Sequence, residues 1–352
     1  MSPTVVGALG SRRCARVDER GLVTPNGARF ELGWWVGAED RRHHPDREAA
    51  VRQRRLGPGP VIETAMRVPG GDAVQRVYAV GGPADAVVVE IENASAVPFA
   101  VGFVPRPPPR GRGPELELPR PPLRREQDGR GEALVYPVAH RTRLRLALKL
   151  HPPGGAVDLA GLPDAADVGR GWEAQLRRGT RVDLPDEPLQ VAVDAARADL
   201  LLAADDVAAL EDWGFDAEAR EAWASLSSRR RRRARQRPDR PPRWDEVRAL
   251  RGTAGSELLM ALRAVLVHET DRGVALLTEC PPGWAGPPLE VHDAPTRSAG
   301  RVSYAIRWHG DRPALLWECE RSGVRLCAPG LDPAWSTHER RGEALLAGSV
   351  DA

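Results

Sequence analysis

The sequence predicts an α+β protein: an N-terminal antiparallel β-sandwich, a short helical block of four or five helices, and a C-terminal antiparallel β-sheet. Three observations predict it. Short segments of period-two alternation, punctuated by Pro and Gly, run from residue 28 to about residue 187. Apolar residues then recur at three- and four-residue steps between Leu189 and Glu269. Alternation returns after residue 271. The boundaries drawn on this basis are an N-terminal extension (1–27), a sandwich domain (28–187), a partial α-hairpin block (188–270) and a C-terminal β cap (271–350).

In the front half, Phe30 to Val36 begins the strand pattern. Val61 to Val68 and Ala73 to Val80 flank Pro69-Gly70-Gly71-Asp72, whose Pro and Gly residues supply the backbone angles of a tight reversal, so the two form a hairpin. Ala86 to Asn93 and Phe99 to Val104 read as a second pair bridged by Ala94-Ser95-Ala96-Val97. Val104 to Arg130 is rich in Pro and Arg and reads as loop or exposed edge, because proline cannot donate to a ladder. Strand pattern resumes at Ala133 to Val138 and Arg143 to Leu150, and a Pro- and Gly-rich loop leads to Val168 to Leu184.

Leu189, Val193, Ala196 and Leu200 mark the first helix, with Pro188 suited to its first turn. Asp206 to Asp212 is a short segment ending at Trp213-Gly214-Phe215, and Asp216 is placed to cap the next helix, which carries Ala219, Ala222 and Trp223. A basic run, Arg229 to Arg235, interrupts the pattern before two last amphipathic segments, Trp244 to Leu250 and Leu258 to Leu266. In the tail, Val302 to Trp308 turns at His309-Gly310-Asp311-Arg312 and returns through Ala314 to Cys319.

Composition narrows the function classes. Among 352 residues, 51 are basic and 49 acidic, so no global field draws the chain to nucleic acid. The arginine run is the one local exception, and it lacks any aromatic RNA-binding strand or helix-turn-helix beside it. No stretch approaches the ~18 apolar residues of a membrane span, and Met1 to Val17 lacks the apolar core of a signal peptide. The four cysteines show no zinc spacing; Cys319 and Cys327 fall in adjacent expected strands, but a cytoplasmic, thiol-reduced protein is the expectation.

Three stretches resemble the six-hairpin (α/α) barrel glycoside hydrolases. The front hairpin with Val88-Val89-Glu90-Ile91-Glu92-Asn93 resembles their N-terminal sandwich. Ala208 to Ala219 resembles an inter-helix turn of the barrel, and Leu276 to Trp284 with Val302 to Trp317 resembles the β cap after the last barrel helix. The whole is also similar to a group of actinobacterial proteins. The resemblance implies carbohydrate chemistry by paired carboxylates. It also implies a barrel that this helical block, about eighty residues long, is too short to close. The expectation is a non-catalytic or degenerate glycosidase-like protein that binds a carbohydrate or sugar derivative. An active enzyme with a reduced or oligomer-completed site is the alternative, and nucleic-acid binding through the arginine run is the second.

Candidate residues follow. If the chain is catalytic, Glu211 and Asp212 beside Trp213 match a barrel-mouth position, although carboxylates there also serve as caps and dipole partners. Trp34 and Trp35, followed by Glu39, Asp40, His43 and His44, form the densest ligand-like cluster. Aromatic faces can stack on sugar C–H faces while charged groups hold hydroxyls; the plainer reading is a Trp-anchored strand and a charged surface loop. Adjacent histidines rarely aim at one ion without a geometry-fixing helix, so no metal or cofactor is expected. His292-Asp293 with Thr296-Arg297 is a second-rank loop candidate.

Overall fold

The computed structural model describes residues 3–11, 13–106, 115–129, 131–150, 157–226, 241–252 and 255–347. The chain divides into two compact units, Met1–Glu173 and Ala174–Ala352. The fold is the α+β arrangement read from the sequence, but its partition differs. The first 27 residues are not an extension: Thr4–Gly7 (β1), Cys14–Val17 (β2) and Val23–Pro25 (β3) are strands of the first sheet. The Arg229 to Arg235 run lies outside the described residues.

The first unit is a sandwich of two antiparallel sheets. One joins β1, β2 and β3 to Glu31–Gly37 (β4), with Arg42–His43 (β5) also on β4, then Phe99–Arg106 (β10), Glu132–Val138 (β13) and Arg124–Gln127 (β12). The other runs Glu115–Glu117 (β11), Arg143–Lys149 (β14), Ala86–Asn93 (β9), Gly71–Val80 (β8), Ile62–Val68 (β7) and Val51–Arg55 (β6). Alternation sends Leu32, Trp34 and Val36 of the first sheet, and Ile62, Val77, Val89 and Leu146 of the second, into one core. The β7–β8 hairpin turns on Pro69-Gly70, and Gly70 has φ of 77°, the left-handed geometry that a type II turn requires at its third position.

β9 and β10 are not the hairpin their proximity suggests. β9 pairs β8 and β14, β10 pairs β4 and β13, and residues 94–98 cross from one sheet to the other. Asn93, fully buried, organises the crossing. Its amide donates to the Val97 and Val138 carbonyls at 2.9 and 3.0 Å, and its Oδ1 accepts from the Ser95 N–H and hydroxyl. A side chain that replaces missing backbone partners lets a chain leave a sheet without orphaning buried polar groups.

On the outer face of the second sheet, charge replaces the core. Arg54, Glu63, Arg76, Glu90 and Arg145 occupy one row across β6, β7, β8, β9 and β14, each directly opposite the next. Glu90 is fully buried between Arg76 at 3.2 Å and Arg145 at 2.7 Å, and Glu63 joins Arg54 at 2.7 Å and Arg76 at 2.9 Å. Beside this row, helix Ala165–Leu176 (α1) occupies part of the span that the sequence pattern leaves as Val168 to Leu184; Ala165 and Val168 pack on Tyr78 and Val88. Gly169 and Gly171 weaken the helical pattern in the sequence without preventing the helix.

In the second unit, the five described α-helices after α1 are Glu187–Ala203 (α2), Val207–Asp212 (α3), Asp216–Ser225 (α4), Trp244–Ala249 (α5) and Ser256–Leu266 (α6). Asp186 caps α2 through the Leu189 N–H, with Pro in the first turn. Asp216 does not cap α4: Phe215 occupies the cap position, and Asp216 instead pairs with Arg301 at 2.6 Å. Strands Arg181–Asp183 (β15), Leu289–Thr296 (β18), Gly300–His309 (β19), Arg312–Cys319 (β20) and Arg341–Leu345 (β23) make an antiparallel sheet. Val267–Thr270 (β16), Gly273–Leu276 (β17), Leu326–Ala328 (β21) and Asp332–Thr337 (β22) make a smaller one with a parallel β17–β21 pair. Cys319 and Cys327 are free thiols on strands of different sheets, so their nearness in sequence is not adjacency in the fold.

Truncating Glu90 removes the carboxylate that Arg145 binds and one of the three that Arg76 binds, Glu63 and Glu92 remaining. Glu90→Ala is expected to cost about 3 kcal/mol of unfolding free energy, the low end for breaking a buried pair because both arginines retain some exposure. Glu132→Ala, whose partner Arg125 is half exposed, should cost less than about 0.5 kcal/mol. Urea titration of both variants checks the contrast; equal losses would show that the row contributes no more than a surface pair.

Candidate functional site

Strand alternation separates the two tryptophans of β4. Trp34 points into the sandwich core, 5% exposed, and its indole N–H donates to the Arg20 carbonyl at 3.1 Å. Trp35 points to the opposite face, where it packs with Val104, Ala133 and Val135. Its ring lies across Gly102: a Cβ there would come within 2.1 Å of the indole Cε2. The Arg42 guanidinium covers the ring from 4.9 Å and is itself paired with Glu126. Glycine on one side and arginine on the other leave Trp35 1% exposed, so neither ring face is open to stack on a sugar. That corrects the stacking expectation for both tryptophans. Trp35 Nε1 is buried and has no hydrogen-bond partner among the described residues.

A cavity of about 320 Å³ opens beside Trp35. Gly33, Trp34 and Trp35 of β4 line it, together with Val104 and Arg106 of β10, Asp128, the segment His44-Pro45-Asp46, and Asp18, Arg20 and Leu22 from the turn after β2. Three carboxylates against two guanidiniums leave this lining one negative charge in excess, apart from His44.

Each wall is held by bonds that can be traced to sequence. Asp18 accepts the N–H groups of Arg20 and Leu22 at 2.9 and 2.8 Å through Oδ1, an Asx-type turn. Gly21 has φ of 79°, and a Cβ there would come within 2.1 Å of the Gln75 amide oxygen, so the turn requires glycine. Arg20 reaches across to the Pro45 and Glu48 carbonyls at 3.2 and 2.8 Å, pinning the 44–48 segment against the turn. Arg106 pairs with Glu31 at 3.1 Å, while its Nε is a second buried donor without a partner among the described residues.

Behind the cavity wall, Arg41 grips Glu48 with two bonds, at 2.5 and 3.1 Å. His43, 4% exposed, sits between carboxylates: Nε2 is 2.9 Å from Asp40, and Nδ1 is 3.3 Å from Glu48 without hydrogen-bond alignment. The Arg41 hydrogen bond holds the Glu48 carboxyl below its ordinary range, and the His43 hydrogen bond does the same for the exposed Asp40.

Of the residues singled out in the sequence, Trp34, Trp35 and His44 line the cavity, Asp40 and His43 brace the loop beside it, and Glu39 is exposed away from the lining. Glu211, Asp212 and Trp213 belong to the other compact unit. Trp213 is fully buried and donates to the Leu259 carbonyl at 3.1 Å. The Glu211 carboxylate accepts the Trp223 indole N–H, and the Asp212 carbonyl accepts Arg263 Nε at 3.2 Å. Asp18, Arg20, Arg106 and Asp128 are lining residues that the sequence reading passed over. Extending the alternation Gly102, Val104, Arg106 two residues into the Pro-rich segment would have found one of them.

Two outcomes are expected. Gly102→Ala pushes a methyl group into the Trp35 ring and should lower stability by about 1–3 kcal/mol. Gly33→Ala, whose Cβ would meet nothing nearer than 3.7 Å, should be close to neutral; thermal unfolding separates the two. Because Glu48 and Asp40 have depressed folded pKa values, their stabilisation is present above the ordinary carboxylate pKa of about 4 and lost as pH falls through the folded values. Hydrogen exchange corrected for intrinsic rate should therefore show residues 38–48 losing protection below about pH 4, ahead of the β7–β8 hairpin.

No family model, curated protein or solved structure matches the chain, so its function rests on this geometry.

Proposed function

We propose that the chain is a non-catalytic binding protein whose front sandwich holds a small carbohydrate or sugar derivative in the cavity beside Trp35. The carrying observation is that Trp35, which lines the cavity, has a buried indole N–H with no partner among the described residues. An unmet buried donor costs about 1–3 kcal/mol, and a ligand oxygen would recover it. Arg106 Nε offers a second such donor on the same lining. A cavity of about 320 Å³ lies at the small end of the roughly 300–1,000 Å³ range of ligand sites, suited to one or two sugar rings.

The charge balance selects among polar ligands. Carboxylates and guanidiniums on one lining offer acceptors and donors together, which suits the hydroxyl groups of a neutral polyol. The excess negative charge repels polyanions. Among polyols, the resemblance to six-hairpin glycosidases directs the choice to sugars. Hydrolysis would require one carboxyl acting as acid and a second as base or nucleophile. Asp18 is held by its turn, and Glu211, in the other compact unit, by the Trp223 indole, so neither is placed as the acid or the base beside this cavity.

The test is calorimetric titration with neutral mono- and disaccharides and, for contrast, sugar phosphates. Trp35→Phe keeps an aromatic side chain on β4 but removes the N–H together with the second ring of the indole, so a neutral sugar should bind the wild type and bind this variant about 3- to 10-fold more weakly. A panel with no binder, or equal affinity in Trp35→Phe, would overturn the reading.

A further inference from the structure

The second unit carries a cluster that the proposed sugar site does not use. Asp183 on β15 stands directly opposite Glu290 on β18, and His292 follows two residues along β18 on the same solvent-facing side. One ligand atom from each of the three lies within 4.8 Å of the others. We propose that Asp183, Glu290 and His292 form a binding site for a zinc-class divalent cation.

The sheet does the work that a helix performs in many histidine sites. Cross-strand register fixes Asp183 against Glu290, and the pleat fixes Glu290 and His292 on one face, so the donors are brought together by backbone hydrogen bonds rather than by a flexible loop. Glu290 is then oriented from behind: Arg307 binds its Oε1, leaving Oε2 at 2.9 Å from His292 Nε2. A carboxylate ligand steadied on its second oxygen is the usual support for a metal ligand. Two bonds of ~2.0–2.1 Å at a tetrahedral angle separate their donor atoms by about 3.3 Å, close to the present spacing of His292 and Glu290. The ion takes the place of the proton these two share. Asp183 is exposed, and its carboxylate closes the remaining gap by side-chain rotation.

The chemistry of the donors sets the choice of ion. Glu290, already paired with Arg307, and Asp183 supply two anionic oxygen donors, and the imidazole favours zinc over magnesium or calcium, which take oxygen ligands. Three protein ligands leave a fourth position for water or a ligand atom. Ligands about 110 residues apart in sequence explain why no short motif announces the site.

Zinc uptake by the full chain, measured in competition with a chromophoric chelator, tests the proposal. One equivalent should bind, with affinity reduced at least tenfold in His292→Ala and, independently, in Asp183→Asn, an exposed position where the fold is not at stake. His338→Ala, an exposed histidine on another segment, should bind as the wild type does, and a tenfold excess of Mg2+ should not compete. Failure of the wild type to take up zinc, or His292→Ala binding as tightly as the wild type, would overturn it. Neither result bears on the Trp35 cavity.

Discussion

A buried carboxylate on the outer face of the second sheet constrains the front unit. Glu90 has no exposed side-chain surface, and it is tolerable only because Arg76 and Arg145 meet it from neighbouring strands. The pairing extends outward through Glu63 to Arg54, so charge alternates across five strands. A one-residue slip of any strand would turn its charge toward the apolar core and leave the partners unmatched, which makes register here a matter of several kcal/mol rather than of side-chain preference.

That register reaches the cavity through the next row. One position along from Arg54, Glu63 and Arg76 lie Gln53, Thr64 and Gln75, which face inward. Gln53 donates to the Asp18 carbonyl at 2.6 Å and to the Thr64 hydroxyl at 3.0 Å, while Gln75 lies against Gly21. The turn that supplies Asp18 and Arg20 to the cavity therefore rests on a polar row whose position the charged row sets. Arg20 in turn pins residues 44–48, and its own carbonyl takes the Trp34 indole. Trp34 packs into the core, Trp35 packs on the opposite face, and both line the cavity, so one dipeptide serves core and site together.

The sequence made plain what depends on neighbours in the chain and hid what depends on partners across the fold. The β7–β8 hairpin was legible because strict alternation meets a Pro-Gly turn. The supposed β9–β10 hairpin was not, because the pattern of each strand is the same whether it pairs with its neighbour or crosses to the other sheet; the buried Asn93 decides that. β1, β2 and β3 are only three or four residues long, too short to read as a sheet on their own. Asp216 looked like a cap because its type favours caps, yet Arg301, 85 residues away, claims its carboxylate. The Trp34-Trp35 cluster was legible as a feature, whereas the covered faces of Trp35 follow from Gly102 and Arg42, and the rest of the lining comes from strands that pairing alone brings near.

The central claim is that an oxygen of a neutral sugar satisfies the Trp35 N–H. With indole nitrogens labelled, the Trp35 Nε1–H resonance, assigned by its loss in Trp35→Phe, can be followed while neutral sugars are added. The account predicts that this resonance moves downfield and saturates while the Trp34 indole, already bonded to Arg20, shifts little. A Trp35 resonance that stays in place across the neutral sugars, at concentrations where calorimetry detects binding, would contradict it.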